Sequence, residues 1–203
     1  MAIFKPRDVK QFILSNKILF LVSLLFIFIG IVIGIIVEVT TTDTLTIFAN
    51  STASLAEIIT GDYSASSLFF SCFKKIMLAV IILFVFSLTK FTSFLNYVYL
   101  AYQGMLVSMK ATNLIYLNGI TGALNVILFT LPVNLINLLL IAYAASLFIK
   151  RRELQKTYRK GFFQSFSTYS GQIIGLAVGV VISCTIYGVI YPLLLRSIVV
   201  ISY

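Results

Sequence analysis

Few side chains in this chain are equipped for bond-making chemistry. It has no histidine, and its two cysteines, Cys72 and Cys184, lack metal-site spacing, so the usual proton shuttle and metal ligand sets are missing. None of the six carboxylates forms a pair inside an apolar run, which removes the two-carboxylate chemistry of an intramembrane protease. No pattern of Gly, Lys and Ser or Thr marks a phosphate-binding loop, so the chain has no ATP motor of its own. Serines are abundant, and nothing singles one out as a lysine-activated nucleophile. The expected protein is non-enzymatic and needs no cofactor.

What stands out is polar chemistry embedded in hydrocarbon. The longest uncharged stretch, Ala111 to Ile149, contains Leu131-Pro132-Val133-Asn134-Leu135-Ile136-Asn137. A proline-broken helix with free carbonyls and amides at Asn134 and Asn137 could coordinate an ion or a peptide. Alternatively, the two amides satisfy backbone groups that Pro132 leaves unpaired, which is the reading preferred. Thirty residues of helix from Ile120 would reach about 45 Å against roughly 30 Å of bilayer core. A break near Pro132 is therefore expected. The stretch closes on a basic cluster, Lys150, Arg151, Arg152, Lys156, Arg159 and Lys160.

These residues need apolar elements to hold them. The chain of 203 residues is 60% hydrophobic and 10% charged, with a mean hydropathy of +1.07. Such a composition excludes an ordinary soluble domain. It predicts an all-α, polytopic transmembrane bundle forming one membrane domain over 1–203, with membrane lipids as its surroundings. A net charge of +9 could suggest nucleic acid, but the cations flank apolar runs and form no basic face interleaved with aromatics. No nucleic-acid partner is expected.

About five crossings are predicted, at 18–37, 68–89, 93–109, 120–149 and 171–195. The first follows a basic stretch and has no small-residue cleavage pattern, so it is expected to stay in the membrane instead of being removed as a signal peptide. It carries Gly30 and Gly34, which either admit another helix closely or merely fall near a helix end. The segment 38–67 holds four acids and no base; its apolar residues between Leu45 and Ile59 suggest an outer amphipathic helix, or else a plain loop. The third crossing contains Asn96, Gln103 and several tyrosines, which must face protein or a wet cavity. The last carries Gly171, Gly175, Gly179 and Ser183, one small residue every fourth position, a stripe for tight contact within the chain or between copies of a homo-oligomer. Cys72 and Cys184 fall at different depths in this layout, which argues against a disulfide between them.

Charge sets the threading. The N-terminal Lys5, Arg7, Lys10 and Lys17, with Lys90 and the 150–160 loop, would put eleven of fifteen cations on one side. The positive-inside rule makes that side cytoplasmic, with the N-terminus inside and the C-terminus outside a bacterial cytoplasmic membrane.

Taken together, these features resemble the stage II sporulation protein M family of integral membrane proteins. The residues that carry the likeness are Gly30 and Gly34, then Gly61-Asp62-Tyr63, then Phe69, Phe70 and Phe73 running into Lys74-Lys75, and above all Leu131-Pro132-Val133-Asn134-Leu135-Ile136. The resemblance implies a scaffold without catalytic residues that recruits cell-wall hydrolases to the septal membrane during forespore engulfment. A second setting that it implies is maturation, export or immunity of a circular bacteriocin, beside an ABC-type ATPase or permease.

Overall fold

The computed structural model describes residues 6–40, 64–89, 92–158, 168–190 and 192–193. The amphipathic stretch expected within 38–67 and the Arg159-Lys160 end of the basic cluster fall mostly or wholly outside them. Among the described residues the chain is an all-α bundle without strands. Its helices are α1 (Pro6–Ser15), α2 (Lys17–Thr40), α3 (Ala65–Phe86), α4 (Leu95–Asn125), α5 (Leu131–Tyr158) and α6 (Ser170–Thr185), with single π turns at Val126–Thr130 and Ile186–Ile190.

Four segments are long and apolar enough to cross a bilayer: Lys17–Thr40, Ala65–Phe86, Leu131–Glu153 and Ser170–Ile190. Their outward faces carry exposed Leu21, Phe28, Phe70, Ile81, Leu139 and Val181, as surfaces that face lipid must. The expected third crossing, α4, is long enough to join them but too polar by composition, because Asn96, Gln103, Lys110 and Asn113 interrupt it.

Contacts fix the directions. Gly30 of α2 packs on Ala101, and Gly34 on Met105 and Ser108, so α2 and α4 run parallel. Gly104 answers from α4, its Cα against the backbone of Ile27 and Ile31. Three glycines thus let two backbones touch, a contact no side chain could occupy. Helices α3 and α5 run opposite to this pair and α6 runs with it, since Gly188 meets Ala65 and Phe69, while Gly179 meets Leu140. The near end of the bundle therefore holds Lys17, Phe86, Leu95 and Ser170, and the far end Thr40, Ala65, Leu131 and Ile190. Helix α5 is the central post: every residue from Ile141 to Ile149 is buried.

Several sequence expectations are corrected. The third crossing does not stop at Met109. Helix continues through Lys110, and the reversal is confined to Gly119, whose φ of 55° is a conformation glycine adopts without penalty. Pro132 does not break the fourth crossing. The helix passes from Ile120 to Tyr158 through the π turn, where the Leu131 N–H donates to the Val126 carbonyl. Proline lacks an N–H and its ring crowds the carbonyl four residues back, and one wider turn just before it accommodates the misfit without interrupting the run of helix. The supposed loop 150–160 is helical as far as Tyr158.

A further helix, α1, was not anticipated. Val9, Phe12 and Ile13 share one face, and Phe12 is buried with its ring edge-to-face on Tyr143 at 5.6 Å and Tyr169 at 6.0 Å. Burying a phenylalanine stabilises by roughly 1.5–3 kcal/mol, enough to seat this short helix across the near end. Asn16 ends it, its amide donating to the Phe12 carbonyl at 3.0 Å.

Candidate functional site

The residues singled out by type and spacing do not converge on one cavity. Asn134 serves its own helix: its amide donates to the Thr130 carbonyl at 2.8 Å, inside the region the π turn disturbs. Asn137 looks the other way and accepts a hydrogen bond from the Ser183 hydroxyl of α6. Asn96 lies at the near end, two residues inside α4, whereas Asn137 is level with Cys72, fourteen residues from the near end of α3, or about 21 Å. A shared cavity for Asn96, Gln103, Asn134 and Asn137 is therefore not formed.

What the fold does assemble is a buried polar node of three helices near the far end. Cys72 comes from α3, Asn137 from α5, and Ser183 and Cys184 from α6. Cys72, Ser183 and Cys184 are buried, and both thiols are free. Cys72 lies one turn along α3 from Phe69 and Cys184 one turn along α6 from Gly188, and Gly188 packs on Phe69, so the two thiols fall on the contact face between α3 and α6. The node thus joins one hydrogen bond, from the Ser183 hydroxyl to Asn137, to two free thiols buried beside it.

The two cysteines were expected at different depths, and this is the largest correction. With crossings drawn at 68–89 and 171–195, Cys72 and Cys184 stand four and eleven residues from the ends that should adjoin, about 10 Å apart in depth. The actual helix ends are Ala65 and Ile190, which place them seven and six residues in. Boundary errors of a few residues at each end produced the whole discrepancy. Antiparallel counting from common ends would have exposed the pair.

The small-residue stripe of α6 faces α5. Gly179 meets only the side chain of Leu140, and Ser183 makes the bond to Asn137; Gly171 and Gly175 are half-buried. The tightest contact with backbone occurs at Gly30, Gly34 and Gly104, with a looser one at Gly188.

The near end carries a second polar group. Ser23 and Ser146 share a buried hydrogen bond of 3.3 Å between α2 and α5. Arg151, one of the cations assigned to topology, is 1% exposed with its guanidinium 5.1 Å above the Phe84 ring. Lys150 pairs with Glu153 at 2.8 Å on the surface, a contact worth little in solvent. Burial, with the Glu153 charge second, holds the Tyr169 phenol above its ordinary value. On α4, Asn96 and Asn113 are buried with side-chain amides that have no hydrogen-bond partner among the described residues. No group of three or more His, Cys, Asp or Glu that could hold a metal occurs among those residues.

Fold and node together define an α-helical membrane bundle stitched by interhelical polar contacts. Compared with known proteins, the chain matches no family model, no curated protein and no solved structure.

Proposed function

We propose that this protein is a non-enzymatic membrane scaffold of the kind the stage II sporulation protein M resemblance implies, anchoring peptidoglycan-degrading partners at the bacterial cytoplasmic membrane. In this reading the basic near end is cytoplasmic, and the acidic segment between α2 and α3 lies outside, where wall enzymes act. The topology includes α4 as a fifth crossing, sheltered from lipid along its contact with α2.

The observation that carries the reading is where the polar groups go. Ser23 bonds Ser146, Ser183 bonds Asn137, Asn134 bonds Thr130, and Arg151 covers Phe84. Each closes one helix on another or on its own backbone, as a rigid platform requires. Deleting Leu45 to Ile59 is expected to leave the protein in the membrane at normal level and abolish co-purification of wall hydrolases. Undiminished recovery of those hydrolases would refute the proposal.

A second reading, a component for export or immunity of a small peptide working with an ABC-type ATPase, draws on Asn96 and Asn113. An amide without a protein partner is costly in a membrane interior, and a water or solute path along α4 would satisfy both. Asn96→Leu would then change flux or peptide sensitivity while assembly persisted; unchanged flux and sensitivity would dismiss it.

A further inference from the structure

Cys72 and Cys184 face one another from antiparallel helices, and two facing thiols have two chemistries open to them. They can hold a soft metal ion as a pair of thiolates, or they can join. The first places negative sulfurs where Cys72 is 4% and Cys184 0% exposed, in a core that also holds Ile76, Ala79, Leu176 and Val180. A monovalent ion would leave one negative charge uncompensated there, which is expensive, and a divalent ion would need further ligands, for which no third His, Cys, Asp or Glu is grouped with the pair among the described residues. The second yields a neutral product from neutral reactants. It therefore suits an apolar interior.

We propose that Cys72 and Cys184 form an intramolecular disulfide under oxidation, stapling α3 to α6 as a redox-sensitive brace near the far end of the bundle. Two S–H bonds break and one S–S bond forms. The two protons and two electrons released reduce an acceptor of the quinone class to its quinol. The Ser183 to Asn137 bond ties α5 to α6 one residue before Cys184. Because Ala65 already rests against Gly188, a covalent link one to two turns further in would hold the start of α3 against the end of α6. The brace stands or falls independently of the scaffold reading. If the proposed orientation also holds, it sits toward the oxidising face, where disulfides persist.

The test uses the full chain in native membranes treated with diamide, a membrane-permeant two-electron thiol oxidant. Samples are then denatured and reacted with polyethylene-glycol maleimide. Untreated protein should gain two adducts, oxidised protein none, and dithiothreitol should restore both. Cys72→Ser and Cys184→Ser should each keep one adduct whether or not oxidant was present. Mass spectrometry of oxidised wild type, which depends on no variant folding, should find one peptide pair joined through Cys72 and Cys184. Two reactive thiols surviving oxidation, or a disulfide-linked dimer in place of the intramolecular link, would overturn the proposal.

Discussion

Adding one methyl group to the α2–α4 interface should cost more than adding it at Gly179 of the α6 stripe. At Gly30 a new Cβ would meet the carbonyl oxygen, carbonyl carbon and Cα of Ala101, all backbone, and at Gly104 it would meet the backbone of Ile27 and Ile31. Backbone in a helix cannot step aside locally, so α2 and α4 would have to separate along their length. Overpacking of this kind typically costs about 1–3 kcal/mol, and 1–2 kcal/mol is already about a 5- to 30-fold change in the folded ratio. At Gly179 the added Cβ meets the Leu140 Cδ2 at 2.6 Å, with the next atoms of that side chain at 3.9 and 4.0 Å. A leucine methyl moves by a rotamer adjustment, so the expected cost there is below about 1 kcal/mol. Gly30→Ala, Gly104→Ala and Gly179→Ala can be ranked in one detergent by thermal unfolding followed by circular dichroism. The order expected is Gly30 and Gly104 strongly destabilised and Gly179 near wild type. Equal stabilities, or Gly179→Ala as the weakest of the three, would refute the assignment of the tight contact to α2 and α4.

Other expected outcomes follow from the same contacts. Asn137→Leu removes the hydrogen bond that joins α5 to α6; bonds of this type in membranes average about 0.6 kcal/mol and reach about 1.7. Asn134→Leu, whose bond stays within its own helix, should cost less in the same unfolding assay. Phe84→Leu should destabilise the near end by the cation–π contribution of about 0.5–2 kcal/mol together with lost packing, and trypsin should then cut after Arg151 faster than in wild type. A cysteine introduced at Thr52 should react with an impermeant maleimide in intact cells and one at Lys156 should not; the reverse pattern would invert the proposed threading. Each is read by an assay that does not require the partner to be known.

How much could be read without coordinates depended on the range of the interaction. Helices near 18–37 and 68–89 were legible because a single segment's hydropathy reports a local preference for lipid. Gly30 and Gly34 were legible as candidates, but their partner Gly104 was not, since its meaning depends on the register of another helix. Pro132 misled because proline's local penalty is real, while the response, a π turn in place of a break, depends on the packing around the segment. The amphipathic α1 was hidden by its charges, which read as a topology signal, whereas Phe12 finds its aromatic neighbours only after α5 and α6 are assembled.

By itself, composition determined that the chain is helical and at home in a bilayer, because burying so much apolar surface in so few charged residues leaves no soluble alternative. Tertiary structure alone decided which polar groups meet. Depth along a helix changes by about 1.5 Å per residue, so an uncertainty of a few residues in each boundary moves side chains by more than a hydrogen bond's length. Cys72, Asn137, Ser183 and Cys184 became neighbours only when three helices were set at a common level.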